Sequence, residues 1–229
     1  MTALIIQARL DSGRLPGKCM LPLGERPMVF RVMQALSLFP VKILACPEDS
    51  VYAFSPLAEE AGFTLLSGPK DDVLARYCIA INKSGADRVV RATSDNPFVF
   101  IDAALAIASE AEELNADYSA YSAMPYGSGV EAVSSIALLR AGKEASASYD
   151  REHVCPYLYN NPQLFYLHRP LAPLKWRDPK IRITVDTEDD YKRANHLFSY
   201  MESIPSPEKN YGERVISSFK ELFPGDINE

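Results

Sequence analysis

The run ALIIQARLDSGRLPGK, residues 3–18, joins a short apolar segment to a basic loop containing glycine and proline. Ala3 to Ala8 has the length and content of a buried strand, and Met28, Val32, Ala35, Leu36 and Phe39 then recur at helical spacing. A strand, a loop and a helix in that order begin a parallel α/β sheet. The same alternation continues. VKILAC (41–46), FTLLSG (63–68) and ADRVVRAT (86–93) read as strands, while PLAEEAG (56–62), DDVLARYCIAINKSG (71–85) and DAALAIASEAEELN (102–115) read as helices. Right-handed crossovers through helices of this length give a mainly parallel sheet, hence a three-layer α/β/α fold with a mixed sheet.

The second half is less regular. DYSAYSA (117–123), VEAVS (130–134), QLFYLHRP (163–170) and IRITVD (181–186) read as strands. SSIALLRAGKEA (134–145), TEDDYKRANHLFSYM (187–201, N-capped by Thr187) and YGERVISSFKELF (211–223) read as helices, and YDREHVCPYLYNNP (149–162) starts as a helix that Pro156 bends or interrupts. With no Pro/Gly/Ser-rich linker, residues 1–229 are expected to form one domain, with 117–180 contributing a smaller mixed β region.

The 229 residues carry 47% hydrophobic side chains, enough for a sizeable core, and a formal charge of −6. An acidic balance argues against a nucleic-acid partner. Residues 1–31 nevertheless hold five basic groups against two acids, and charge concentrated at one loop suits a small anionic ligand. No apolar run approaches the ~18 residues of a membrane span. Cys19, Cys46, Cys78 and Cys155 show no C-x-x-C spacing, and three dispersed histidines form no metal-site pattern; a reducing cytoplasm is expected.

Ligands of open parallel sheets bind outside the carboxyl ends of strands. Three stretches fall there: the opening loop, TSDNP (93–97) and TVDTEDD (184–190). In the loop, Gly13 and Gly17 permit tight turns, Arg14 offers a bidentate grip on phosphate, and Lys18 offers a compact charge. The spacing is neither a Walker A loop nor G-x-G-x-x-G, so the residues alone leave a solvated turn and an anion cradle equally open. Asp95 and Asp186, each at a strand end, read either as helix N-caps or as ligands of a hard cation such as Mg²⁺. Arg151, Glu152 and His153 read as a sugar-facing cluster or as an ion pair at a helix end. The tyrosines at 118–126 and 157–166 read as strand packing before a carbohydrate or dimer surface.

The run Ala8, Arg9, Ser12, Arg14, Leu15, Pro16, Gly17, Lys18 resembles the A-R-x-x-S-x-R-L-P-G-K element of the sugar cytidylyltransferases. These include the spore-coat polysaccharide (SpsF-type) branch and the 3-deoxy-manno-octulosonate and N-acylneuraminate enzymes. GPKDDVLARY, VVRATSDNP, YDREHVCPYLY and RITVDTEDD extend the likeness to the spore-coat branch across residues 4–195. The resemblance implies a nucleotide-diphospho-sugar transferase fold and Mg²⁺-dependent transfer of CMP from CTP to a sugar or sugar acid, with release of pyrophosphate. It implies catalytic roles for Arg14, Lys18 and Asp95, with Asp95 and Asp186 as metal ligands. It places Ala8, Arg9, Ser12, Gly13, Ser67, Gly68, Asp72 and Arg76 at the nucleotide, and Glu131, Arg151, Glu152 and His153 at the acceptor. Relatives are often homodimers, although no apolar stripe in this chain marks an interface.

The chain departs from the pattern at three places. Asp11 and Gly13 stand where the branch has Gly and Thr or Ser, and an acid there is expected to weaken triphosphate attraction. GSGVE replaces G-L-D-V-E, putting Gly129 where an Asp is usual, and SDNP replaces G-D-C-P. Two other readings stay open on the residues: a glycosyltransferase consuming a nucleotide sugar, which commonly needs a D-x-D element that SDNP lacks, and a degenerate nucleotide-binding protein of the pathway.

Overall fold

The computed structural model describes residues 1–204 and 210–227. The chain enters β1 (Thr2–Gln7), crosses the basic loop and a short hairpin of β2 (Pro22–Leu23) and β3 (Arg26–Pro27), and continues as α1 (Met28–Ala35). There follow β4 (Val41–Pro47), α2 (Val51–Ala61), β5 (Thr64–Gly68), α3 (Val73–Ser84) and β6 (Arg88–Thr93). Parallel pairing sets β4 on one side of β1 with β5 beyond it, and β6 on the other side. The winding therefore reverses between β1 and β6, which opens a crevice at their carboxyl ends.

After β6 come α4 (Ile101–Glu113), β7 (Tyr118–Ser119), β8 (Glu131–Ser134), α5 (Ser135–Glu144), α6 (Ser148–His153) and α7 (Pro156–Tyr159). Then β9 (Leu167–His168), α8 (Glu188–Ser203) and α9 (Tyr211–Leu222) complete the regular elements considered below. β8 lies antiparallel between β6 and β7, and β9 runs parallel to β7, giving the order β5-β4-β1-β6-β8-β7-β9. The result is the expected mixed, mainly parallel sheet between helical layers.

Strand alternation sorts the core. Leu4 and Ile6 of β1 pack with Val29, Val32 and Phe54 from α1 and α2, while Ile5 packs with Leu74, Tyr77 and Leu138 from α3 and α5. Both faces of β1 are buried, which is why its sequence is a continuous apolar run. The fully buried Tyr77 donates its hydroxyl to the Ile5 carbonyl at 3.2 Å, so its polar tip is satisfied inside the sheet. A third apolar cluster, including Phe98, Phe100, Trp176, Ile183, Val185 and Phe219, seats α8 and α9.

Several element boundaries differ from the sequence reading. α2 starts at Val51 and carries Pro56 inside it, rather than beginning at Pro56. α1 stops at Ala35 instead of reaching Phe39, and the chain beyond it tightens into three-residue turns, Ser37 N–H donating to the Gln34 carbonyl and Phe39 N–H to the Leu36 carbonyl. Over 149–162, where a helix bent or interrupted at Pro156 is expected, the interruption is what forms, giving two helices. Val154, at φ 74°, breaks the first, and Pro156 opens the second at a position that tolerates it. DYSAYSA and QLFYLHRP shrink to two paired residues each, Tyr118–Ser119 and Leu167–His168. IRITVD is extended but joins no sheet: Ile183 N–H donates to the Tyr126 carbonyl (2.9 Å) and Val185 N–H to the Asp95 carbonyl (2.9 Å). Its partners are loops, so the alternation of a strand is present without a strand neighbour.

Candidate active site

The opening loop turns back at Gly17, whose φ of 66° suits a residue without a Cβ, and its N–H donates to the Leu10 carbonyl at 2.9 Å. That turn starts a single 3-10 turn, Lys18–Met20, and aims Lys18 into the crevice. Asp95 follows β6, whose pairing continues as Ser94 N–H donates to the Gln7 carbonyl. Asp186 ends the extended segment just before α8. Thr187 caps α8 in a capping box with Asp190, and Asp190 also accepts from the Asp186 N–H at 3.0 Å. The residue before Ile101 that caps α4 is Phe100. Neither Asp95 nor Asp186 therefore serves as a helix cap, and both carboxylates are left for other work.

They meet at Lys18. Its ammonium donates to Asp95 Oδ2 at 2.7 Å, Asp186 Oδ1 at 2.9 Å and the Val185 carbonyl at 2.9 Å. Arg14 reaches Asp186 Oδ1 at 2.7 Å from its exposed position, and Arg182 reaches Asp186 Oδ2 at 2.6 Å. Burial opposes ionisation of Asp186, but Lys18, Arg14 and Arg182 outweigh it and hold the carboxyl below the usual carboxylate range. Two hard oxygen donors thus converge on one point, with no group of three acids, histidines or cysteines able to hold a metal among the described residues. That donor set fits a hard divalent cation whose shell is completed by phosphate oxygens and water.

Arg14, Lys18, Asp95 and Asp186 line a cleft of about 810 Å³. Of the residues expected at a nucleotide, Ala8, Arg9, Ser12, Gly13, Arg14, Lys18 and Arg76 line it; Ser67, Gly68 and Asp72 do not. Gly68 is close-packed instead, because a Cβ there would stand 3.0 Å from Arg76 Cγ and 3.0 Å from Ile79 Cδ1. Asp72 caps α3 through the Ala75 N–H and takes both Nε (2.8 Å) and Nη2 (2.5 Å) of Arg151. Arg76 is buried and donates to the Pro69 and Lys70 carbonyls, and burial lowers its pKa.

Of the expected acceptor residues, Glu131, Glu152 and His153 line the cleft, and Arg151 turns away to Asp72. Glu152 pairs with Arg9 at 3.3 Å across the mouth, and the His153 ring lies 4.4 Å from that of Tyr149. Glu131 accepts from the half-buried Arg91 and from the Tyr118 hydroxyl at 2.8 Å. Burial disfavours the charge on Arg91, yet Glu131 more than compensates and keeps it protonated. Cys155 is fully buried and its pKa is pushed well up, so it behaves as an inert thiol. Asp11, expected to weaken a triphosphate site, does not line the cleft; it pairs with Lys70 at 2.7 Å.

Arg182 and Arg91 were not singled out from the sequence, although alternation carries the signal. Arg182, Thr184 and Asp186 alternate along one extended segment, and Arg91 and Thr93 share a face of β6 just before the turn that carries Asp95.

A reversed-winding α/β sheet with a cationic loop and two aspartates at its switch point defines a nucleotidyltransferase. The cytidylyltransferase family model matches residues 3–218, and the chain belongs to that family. It is 33% identical over 207 residues to the uncharacterized protein MJ1063 of Methanocaldococcus jannaschii, covering 87% of this chain and 84% of the relative. It is 31% identical over 205 residues to the spore coat polysaccharide biosynthesis protein SpsF of Bacillus subtilis, covering 85% of each. The structure of a cytidylyltransferase from Leptospira borgpetersenii superposes with a TM-score of 0.84 at 25% identity, covering 100% of this chain and 97% of that one. Family membership favours nucleotidyl transfer over consumption of a nucleotide sugar.

Proposed function

We propose that the chain transfers CMP from CTP to a sugar or sugar acid, releasing pyrophosphate, in cytoplasmic polysaccharide biosynthesis. The observation that carries this reading is the convergence of Lys18, Asp95, Asp186 and Arg14 beside a cleft large enough for a nucleotide and an acceptor. A hydroxyl oxygen of the acceptor attacks the α-phosphorus and loses its proton to water. The bond from that phosphorus to the β-phosphate oxygen breaks, and pyrophosphate leaves with the bonding pair. Little covalent work falls to the protein, so positioning and electrostatics dominate.

In this reading Arg9, Ser12, Gly13 and Arg14 bind the phosphates, and Lys18 offsets charge that builds on the departing group. Asp95 and Asp186 would hold Mg²⁺, which when bound supplies charge neutralisation at the phosphate oxygens. Lys18 and Arg14 orient Asp186, and Arg182 holds its second oxygen, so the carboxylate is fixed in place before substrate arrives. Arg76 stiffens the 69–70 backbone beside the nucleotide, and Glu131, Glu152 and His153 face the acceptor. The SpsF likeness supports the polysaccharide context. No helix among the described residues is long and apolar enough to cross a membrane.

The test is a pyrophosphate-release screen of the four nucleoside triphosphates against pooled sugars, sugar acids and sugar phosphates, with and without Mg²⁺. Mg²⁺-dependent release with CTP is the expected result. Release from another triphosphate in preference to CTP, or none from any pool, removes the proposal.

A further inference from the structure

Lys18 stands between the two acids that a bridging cation would use. Its ammonium has three donors, and all of them are spent: on Asp95 Oδ2 at 2.7 Å, Asp186 Oδ1 at 2.9 Å and the Val185 carbonyl at 2.9 Å. The Lys18 and Asp186 side chains are each 12% exposed and that of Asp95 is 27% exposed, so solvent screens these contacts little.

Asp186 is close to saturation. Its two oxygens offer about four acceptor positions, of which Lys18, Arg14 and Arg182 take three. Arg182 also lies 3.7 Å from Asp190. Three cations thus face Asp95, Asp186 and Asp190, and the charges of the cluster balance. Arg9 and Arg91, which line the same cleft, are paired elsewhere, with Glu152 and Glu131. A divalent cation entering this cluster would have no net negative charge to offset. Bound to the same two oxygens at its usual distance of about 2.1 Å, it would lie at most about 5 Å from the Lys18 ammonium. Like charges that close, in a shielded site, repel strongly.

We propose that Lys18 is a built-in counter-ion that keeps the divalent-cation site closed in the nucleotide-free protein and opens it when a triphosphate arrives. The inference rests on Asp95 and Asp186 being the cation's ligands, as in the nucleotidyl-transfer reading, and adds the order of events. The negative charge of the triphosphate tips the balance of the cluster. Because its donors are all spent, Lys18 can grip a phosphate oxygen only by releasing one of its present partners. Release of a carboxylate frees an acceptor position for the cation in the same movement. Nucleotide and cation consequently favour each other's binding, and linkage makes that coupling reciprocal.

The experiment titrates Mn²⁺ into the full chain and follows water-proton relaxation, which rises when Mn²⁺ tumbles with the protein. The parent, Lys18→Met, and Lys18→Met combined with Asp95→Asn are compared. Without nucleotide, Lys18→Met is expected to bind Mn²⁺ at least ~10-fold more tightly than the parent, and adding Asp95→Asn to cancel the gain. With CTP the parent is expected to take up Mn²⁺ as well. Melting supplies a second readout: excess Mg²⁺ should raise the melting temperature of nucleotide-free Lys18→Met and leave that of the nucleotide-free parent unchanged. Lys18→Gln, which removes the charge and keeps a hydrogen-bond donor, takes the place of Lys18→Met if the latter does not fold. A nucleotide-free parent that binds Mn²⁺ as tightly as Lys18→Met, or a gain that survives Asp95→Asn, overturns the proposal and leaves the nucleotidyl-transfer reading standing. Mn²⁺ uptake by neither protein, with or without CTP, removes Asp95 and Asp186 as cation ligands and the proposal with them.

Discussion

Lys18 and Asp186 are 168 positions apart in the chain and 2.9 Å apart in the fold, with Asp95 Oδ2 2.7 Å from the same ammonium. Removing the lysine deletes the positive centre of the site while Arg14 and Arg182 continue to hold Asp186. Lys18→Ala is expected to lower kcat by ~100 to 1000-fold, the scale for one preorganised charge at a reacting group. Turnover within about threefold of the parent enzyme, measured by pyrophosphate release, would remove Lys18 from the chemistry.

Gly127 and Gly129 should respond in opposite ways to the same substitution. Gly127 has φ 98°, and a Cβ there would stand 2.6 Å from the Thr184 nitrogen. Gly127→Ala is expected to cost ~1–3 kcal/mol and to disturb the segment that presents Asp186. A Cβ at Gly129 would meet only Met124 Sδ at 3.6 Å, so Gly129→Ala should melt within a degree or two of the parent. Urea unfolding and melting curves of the two variants, side by side, provide the check.

The cap of α8 should make stability depend on acid. Burial works against ionisation of Asp190, but the Asp186 N–H, the Thr187 side chain and backbone, and Arg182 lower its pKa. A carboxyl lowered in the folded state contributes stability above its unfolded value of ~3.9, and that contribution is lost as pH falls through the folded value. Asp190→Ala is expected to cost ~1 kcal/mol at pH 7. The gap between variant and parent, read from urea midpoints, should close as the pH falls below ~3.9.

Thiol chemistry offers an independent probe of the core. Burial pushes the Cys19 thiol up to about 12 and the Cys46 thiol up to about 11, and raises Cys78 and Cys155 as well. Cys19, Cys46 and Cys155 are buried, and Cys78 is half-buried. At pH 8 the native protein should release colour from an aromatic disulfide reagent at Cys78 alone, slowly, and at all four thiols after unfolding. Rapid reaction at more than one native thiol would contradict the packing described.

Much of this molecule was legible in its sequence because the parallel half is local. The apolar run of β1 and the Thr187 cap of α8 each depend on neighbours within a few residues. The 117–186 region was read less well because its pairings are distant and its partners irregular. IRITVD alternates like a strand, yet Tyr126 and Asp95, which bond its backbone, lie in loops. Asp72 shows the same limit at the site. A motif places it beside a nucleotide, but only three dimensions show Arg151 occupying its carboxylate.

The two aspartates are joined by more than their side chains. The Val185 N–H donates to the Asp95 carbonyl, and the Asp186 N–H donates to the Asp190 carboxylate, so bonds that use neither the Asp95 nor the Asp186 carboxylate help hold the two segments in register. Architecture and reactivity are consequently separable in this molecule. The main-chain bond between the two segments would survive the loss of either carboxylate, so the backbone frame of the cleft does not depend on the acids it presents.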